Sequence, residues 1–230
     1  MKRVTHSFMA IVLVGGLATS GMTGCSRLNQ TERGAILGAA GGAAVGAVVG
    51  RAVGSTARGA ILGAAVGGAA GAVIGRRMDQ QAQELDAALP PGTTVQRVGE
   101  GIAVSFESGL LYPFNSTDLL PAGRSNLQAL AASLSKYPDT EVLIVGHTDD
   151  VGSDSYNQGL SVQRAEAAAA VLAAAGVPRN RIQTAGRGES EPIAANTDEA
   201  GRQQNRRVEV AIFASEEYRN AVMRQNGAGQ

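Results

Sequence analysis

Residues 143–164 place the tightest demands on any fold this chain adopts. They open with an apolar run, Leu143-Ile144-Val145-Gly146, which reads as a buried strand; Ser153 or Asp154 reads as the N-cap of the long Ala-rich helix that follows. Between strand and helix lies a polar, acidic, glycine-containing loop, the kind of segment that rigid flanking elements hold out for binding. At about 100° per residue, Tyr156, Leu160, Ala167, Ala168 and Val171 share one helical stripe, and Arg164 falls in its middle. Arg keeps its proton, so a core-facing guanidinium requires an anion or a set of acceptors. Asp149, at the carboxyl end of the strand, is the nearest candidate by topology. Residue types leave three readings open: an internal ion pair of Asp149 with Arg164, an Arg164 that snorkels out along its stem, or a ligand site built from both.

Further signals follow in order. His147-Thr148-Asp149 with Gly152 is succeeded by Tyr156-Asn157-Gln158, Leu160-Ser161, Arg164-Ala165 and finally Asn205-Arg206-Arg207-Val208-Glu209. This series resembles the OmpA-like peptidoglycan-binding domain over residues 94–215. The resemblance implies an α+β fold, a two-layer α/β sandwich with a mixed sheet of βαβαβ type. In that family the Asp of the Thr-Asp pair and the Arg fifteen residues later clamp the diaminopimelate of the peptidoglycan stem peptide, and Asp149 and Arg164 stand at those positions here. On the same footing Thr148, Asn157, Leu160, Ser161 and Arg206 belong to the groove. The distal end of diaminopimelate is a zwitterion, so one fixed anion and one fixed cation suit it: Asp149 for the ammonium, Arg164 for the carboxylate.

The start of the chain reads as an export signal over residues 1–24. Lys2 and Arg3 supply the positive end, residues 8–17 the apolar core, and small residues follow. It closes on Met22-Thr23-Gly24-Cys25, which resembles a bacterial lipobox, in which the Cys becomes the acylated N-terminus. Cys25 is the single cysteine among 230 residues, so an internal disulfide is excluded and lipidation gives it a use. Ser26 rather than Asp follows it, which implies sorting to the outer membrane, with residues 25–33 as lipidated N-terminus and linker and the C-terminal domain in the periplasm. Lys and Arg total 20 and Asp and Glu total 20, with no basic excess or interleaved aromatics, so nucleic acid is not an expected partner.

Residues 34–77 shift to Gly, Ala, Val and Ile and contain an internal repeat. Arg33-Gly34-Ala35-Ile36-Leu37-Gly38-Ala39-Ala40 recurs as Arg58-Gly59-Ala60-Ile61-Leu62-Gly63-Ala64-Ala65. Glycine falls at every fourth position from Gly34 to Gly50 and again from Gly59 to Gly75, a glycine zipper written twice. Each Gly costs a helix about 1 kcal/mol relative to Ala, so such helices need an offset. A membrane-inserted helical hairpin supplies one, and packing between copies of the protein supplies another. Each 17-residue run spans about 25 Å as a helix, short for a hydrocarbon core of roughly 30 Å.

Residues 78–93 read as a short polar helix and a Pro-Gly linker, with Pro90-Pro91-Gly92 as the domain boundary. Within the domain, one or two strands are expected over 94–106, a helix from Pro121 through Leu127, Leu130 and Leu134, strands at 141–146, 181–185 and 206–213, and a frayed polar tail over 216–230. In the last strand the pleat puts Arg206 with Val208, Val210 and Ile212, so Arg206 is a second inward cation. It either borders the groove or ties down the loop before it. Enzyme readings fail: no Ser stands in a strained Gly-flanked elbow beside His147, and Asp149, Asp150 and Asp154 lack the spacing of a calcium loop. No cofactor or metal is expected. The reading is a non-enzymatic outer-membrane lipoprotein that binds peptidoglycan and tethers the membrane to the wall. The alternative is a self-associating envelope-assembly protein in which the zipper acts and the C-terminal domain localises it.

Overall fold

The computed structural model describes residues 54–113 and 115–227. At its centre is a five-stranded mixed sheet of β1 (Thr93–Val98), β2 (Gly101–Glu107), β3 (Thr140–Gly146), β4 (Ile182–Gly186) and β5 (Arg207–Ala214). The order across the sheet is β1-β2-β5-β3-β4. β3 and β4 run parallel and the other pairs antiparallel, so the last strand in sequence lies in the middle, paired on both sides.

Pleat alternation gives the sheet two apolar faces. Ile102, Val104 and Phe106 of β2, Val142 and Ile144 of β3, and Val208, Val210 and Ile212 of β5 point to one of them and form the main core. That face is covered by α2 (Gly68–Ala88), the short α3 (Ser108–Leu111), α4 (Pro121–Lys136) and α5 (Asp154–Ala174). α4 forms where the sequence places it, with Pro121 in the first turn and Leu127, Leu130 and Leu134 fully buried. The expected mixed sheet with helices packed on one face is thus observed.

The opposite face carries a second, smaller core that the sequence reading did not assign. Leu143 and Val145 of β3 and Ala211 and Phe213 of β5 pack against Ala57, Ala60, Ile61 and Ala64. Those four residues belong to α1 (Thr56–Gly63) and its C-cap, and Ala60, Ile61 and Ala64 lie in the second copy of the repeated octapeptide.

This changes the second run of the expected zipper hairpin. Residues 34–53 lie outside the described residues, but from Gly54 onward the second run is two helices rather than one. α1 ends at Gly63, and Gly67 and Gly68, the N-cap and first residue of α2, take positive φ values of 70° and 60°. The Glu100 carboxylate accepts from Val66 N at 2.9 Å and Gly67 N at 2.7 Å, satisfying amides freed at that break. Burial against a sheet offsets the glycine cost here. Among the described residues no helix is long and apolar enough to cross a membrane.

The expected boundaries shift as well. Met78 sits in the middle of α2, and Ile74, Met78 and Leu85 are buried in the main core, so residues 68–88 are part of the domain rather than a helix outside it. Pro90-Pro91-Gly92 is a turn within that unit, with Thr93 N donating to Pro90 O at 3.2 Å. The polar tail forms α7 (Glu216–Gly227): Val222 enters the core, and Arg219 Nη1 donates to Ala64 O at 3.0 Å, closing the end of α1.

Candidate functional site

The carboxyl ends of β3 and β4 bring the site together, because α5 can approach them unusually closely. A Cβ on Gly146 would lie 2.1 Å from the Ser161 carbonyl oxygen, and one on Gly186 would lie 2.5 Å from Ser161 Oγ. Glycine at both strand ends lets the polar side of α5 press on the sheet. The buried residues of the helix are accordingly Asn157, Ser161, Arg164, Ala165 and Ala168 with those of its last turns. Tyr156, expected on the buried stripe, is 48% exposed, and Leu160 is half-buried. Arg164 is buried as expected.

The internal ion pair of Asp149 with Arg164 does not form. Asp149 Oδ2 accepts from Arg206 Nη1 at 2.5 Å, and Asp149 Oδ1 accepts from Val151 N at 3.2 Å. Arg206 also pairs with Glu199 in the first turn of α6 (Glu199–Asn205), so it both borders the site and ties down the preceding segment. Burial works against the Arg206 charge, but the hydrogen bonds to Asp149 and Glu199 outweigh it and raise its pKa. Hydrogen bonds from Arg206 and then Arg202 hold Glu199 below its ordinary value.

Arg164, 3% exposed, donates from Nε to Ser116 O at 3.0 Å and lies 5.5 Å from the centroid of the Tyr112 ring. Tyr112 in turn donates its hydroxyl to the Arg164 carbonyl at 2.5 Å. Among the described residues no carboxylate lies within ion-pair distance of Arg164. Burial is the main cause that pushes this guanidinium down from its usual value, with Tyr112, Tyr156 and Asp149 acting in the other direction.

Thr148, Asn157 and Ser161 hold the loops rather than offering free groups. Thr148 N donates to Gly188 O and its hydroxyl to Asp149 O, both at 2.8 Å. Asn157 Nδ2 donates to Glu189 at 2.6 Å and to Asp149 O at 3.3 Å. Ser161 Oγ accepts from Gly188 N at 2.9 Å. Leu160 lines a cleft of about 460 Å³ with Asn115, Ser116, Tyr156 and Gln163 among others, and the Tyr156 hydroxyl donates to Asn115 Oδ1 at its edge. Ser116 joins this cleft to Arg164. The sequence reading missed Tyr112, Ser116, Glu189 and Glu199 as members of the constellation. The stretch Leu111-Tyr112-Pro113-Phe114-Asn115-Ser116, ahead of the helix at Pro121, is the sequence that carries the first two.

His147, beside the site, faces the other side of the sheet. It is 1% exposed, and neither ring nitrogen has a hydrogen-bond partner among the described residues. Burial first, then the Arg207 and Arg187 charges, push its pKa well below the ordinary value. Its 3.9 Å approach to Glu209 is therefore not a charge pair; Glu209 is taken by Arg207 at 2.8 Å. Arg207 and Asn205, 2% and 0% exposed, are structural. Asn205 accepts from Ile193 N and Ala194 N and donates to Ala194 O, fixing the approach to β5.

A sheet with this order, carrying an acid after β3, a buried cation on the following helix and a half-buried one before the last strand, defines a class that comparison with known proteins identifies. The OmpA family model matches residues 111–206, and a YMGG-like Gly-zipper model matches residues 1–79. The chain is 38% identical over 133 residues to the probable lipoprotein YiaD of Escherichia coli (strain K12), covering 58% of this chain and 61% of that protein. It is 40% identical over 111 residues to the putative lipoprotein YfiB of the same organism, covering 48% and 69%. The solved cell wall anchor of the T6SS from Pseudomonas aeruginosa aligns with a TM-score of 0.52 at 28% identity, covering 60% of this chain and 98% of that one. The chain belongs to the OmpA family and carries a glycine zipper ahead of the family domain.

Proposed function

We propose that this protein is an outer-membrane lipoprotein, acylated at Cys25, whose periplasmic domain binds the diaminopimelate of peptidoglycan stem peptides and tethers the membrane to the wall. The observation that carries the reading is Arg164: a buried guanidinium for which the described residues supply a carbonyl and an aromatic ring but no carboxylate. A buried cation without an anion is costly, and a ligand carboxylate reduces that cost. Asp149 completes a zwitterion site, its carboxylate oriented by Arg206 and by Val151 N and available to a ligand ammonium. Asn157, Thr148 and Ser161 hold the loops around it, and Leu160 supplies apolar contact in the adjoining cleft. No group in this arrangement is set to act as a nucleophile, and the reading is of a binding protein.

Two kinds of similarity support it: YiaD and YfiB are named lipoproteins, and the T6SS protein is named a cell wall anchor. Charge-assisted hydrogen bonds contribute roughly 1.5 to 3 kcal/mol each, so a single site binds modestly. Repeated stems and a membrane anchor then raise the effective concentration. The test is co-sedimentation of the mature protein with isolated sacculi, with and without free diaminopimelate. Wild type pellets and is competed off, whereas Asp149→Ala and Arg164→Ala stay in the supernatant while remaining folded. Pelleting of both variants at wild-type levels would falsify the assignment.

A further inference from the structure

The loop after β4, residues 187–191, is gripped from both sides of the sheet. On the α5 side it meets the groups that frame the candidate site: Gly188 O accepts from Thr148 N, Gly188 N donates to Ser161 Oγ, and Glu189 accepts from Asn157. There is no slack there, since a Cβ on Gly188 would lie 3.0 Å from Gln158 N. On the α1 side, Glu191 accepts from Thr56 N at 2.9 Å and from Thr56 Oγ1 at 2.5 Å, and Arg187 Nε donates to the same hydroxyl at 2.6 Å. Arg207 closes the frame by donating to Glu191 O at 3.1 Å and to Glu209, which also accepts from Ser55 Oγ at 2.8 Å. Thr56 is 1% exposed. A five-residue loop therefore joins a helix on the back of the sheet, through hydrogen bonds, to Asn157 beside Asp149 on the front.

We propose that Thr56 is a positioning residue for the stem-peptide site: docking of α1 behind the sheet sets the 187–191 loop, and the loop sets the Glu189–Asn157 rim beside Asp149. The proposal rests on the binding reading above and adds a coupling that nothing in the ligand site itself requires. Coupling free energies are reciprocal, so an occupied site holds α1 more firmly, and a loosened α1 weakens the site. The wall-binding site is thereby linked to the segment that leads to the membrane.

The experiment uses the full mature chain and a purified diaminopimelate-containing muropeptide, read by calorimetry and by amide hydrogen exchange. Thr56→Val keeps the side-chain shape and removes the hydroxyl that bridges Arg187 and Glu191. It is expected to weaken muropeptide binding about fivefold and to speed exchange in residues 187–191. Thr56→Ser returns the hydroxyl and restores wild-type affinity. In the wild type, the muropeptide slows exchange in α1, although no residue of α1 lines the site. Unchanged affinity in Thr56→Val, or α1 exchange indifferent to muropeptide, overturns the coupling while leaving the site intact. A wild type that takes up no muropeptide removes the site and the coupling together.

Discussion

Asp149 is paired with Arg206, Oδ2 to Nη1 at 2.5 Å, across 57 residues of chain, and Arg164 stays outside that pair. The two arginines consequently have different work. Arg206→Ala strips a buried carboxylate of its cation and is expected to lower the unfolding free energy by about 2 kcal/mol, less than for a fully sealed pair because Arg206 retains some solvent contact. Arg164→Ala removes the charge with no carboxylate partner among the described residues and is expected to cost wall binding more than stability. Urea unfolding of both variants checks this, and an equal stability loss in the two would contradict the division.

Met78 tests where the domain begins. It lies in the main core at 1% exposure, twelve residues before the proline pair that the sequence offers as a boundary, so Met78→Ala should cost roughly 2 to 5 kcal/mol. A separate helix outside the domain would leave the C-terminal unfolding transition where it is in the wild type.

Gly146 sets the spacing between β3 and α5. Its virtual Cβ meets the Ser161 carbonyl at 2.1 Å, and backbone at that distance has no rotamer to escape into. Gly146→Ala should therefore lose about 1 to 3 kcal/mol and also weaken sacculus binding, because the displaced helix carries Asn157 and Arg164. Thermal unfolding together with co-sedimentation measures the two losses.

His147 makes stability pH-dependent. Its folded pKa is depressed by burial and by Arg207 and Arg187, whereas the unfolded imidazole titrates near about 6.5. The unfolded chain thus binds the extra proton as pH falls below that value. Stability is complete above it and declines below it, with a limiting slope of about 1.4 kcal/mol per pH unit, until the folded ring itself protonates. His147→Leu should flatten the curve below about pH 6.5 relative to wild type. His6 is the other histidine of the chain. Parallel stability curves for the two proteins over that range would remove His147 as the cause.

Local pattern carried the central unit a long way. The apolar run at 143–146, the Ser153 cap and the Ala-rich helix all form as read, and the charge at Arg164 marked the place where a core argument fails. The stripe was rotated by one residue because a helical wheel weighs apolarity. Here Gly146 and Gly186 admit the polar Asn157 and Ser161 to the sheet instead. The tail at 216–227 looked frayed because its mean character is polar; Val222 and Arg219 anchor it through contacts that no window over the tail contains.

Sequence by itself determined the element types, the alternation that makes β3 and β5 apolar on both faces, and the family motif that singles out Asp149 and Arg164. Those depend on residue chemistry and short-range periodicity. Only the tertiary structure decided which cation Asp149 keeps and what covers the back of the sheet. The antiparallel register that sets Gly146 opposite Val208 brings Arg206 to the end of β3. A glycine-alanine helix is too small on every side to declare its buried face until a flat apolar surface is there to receive it.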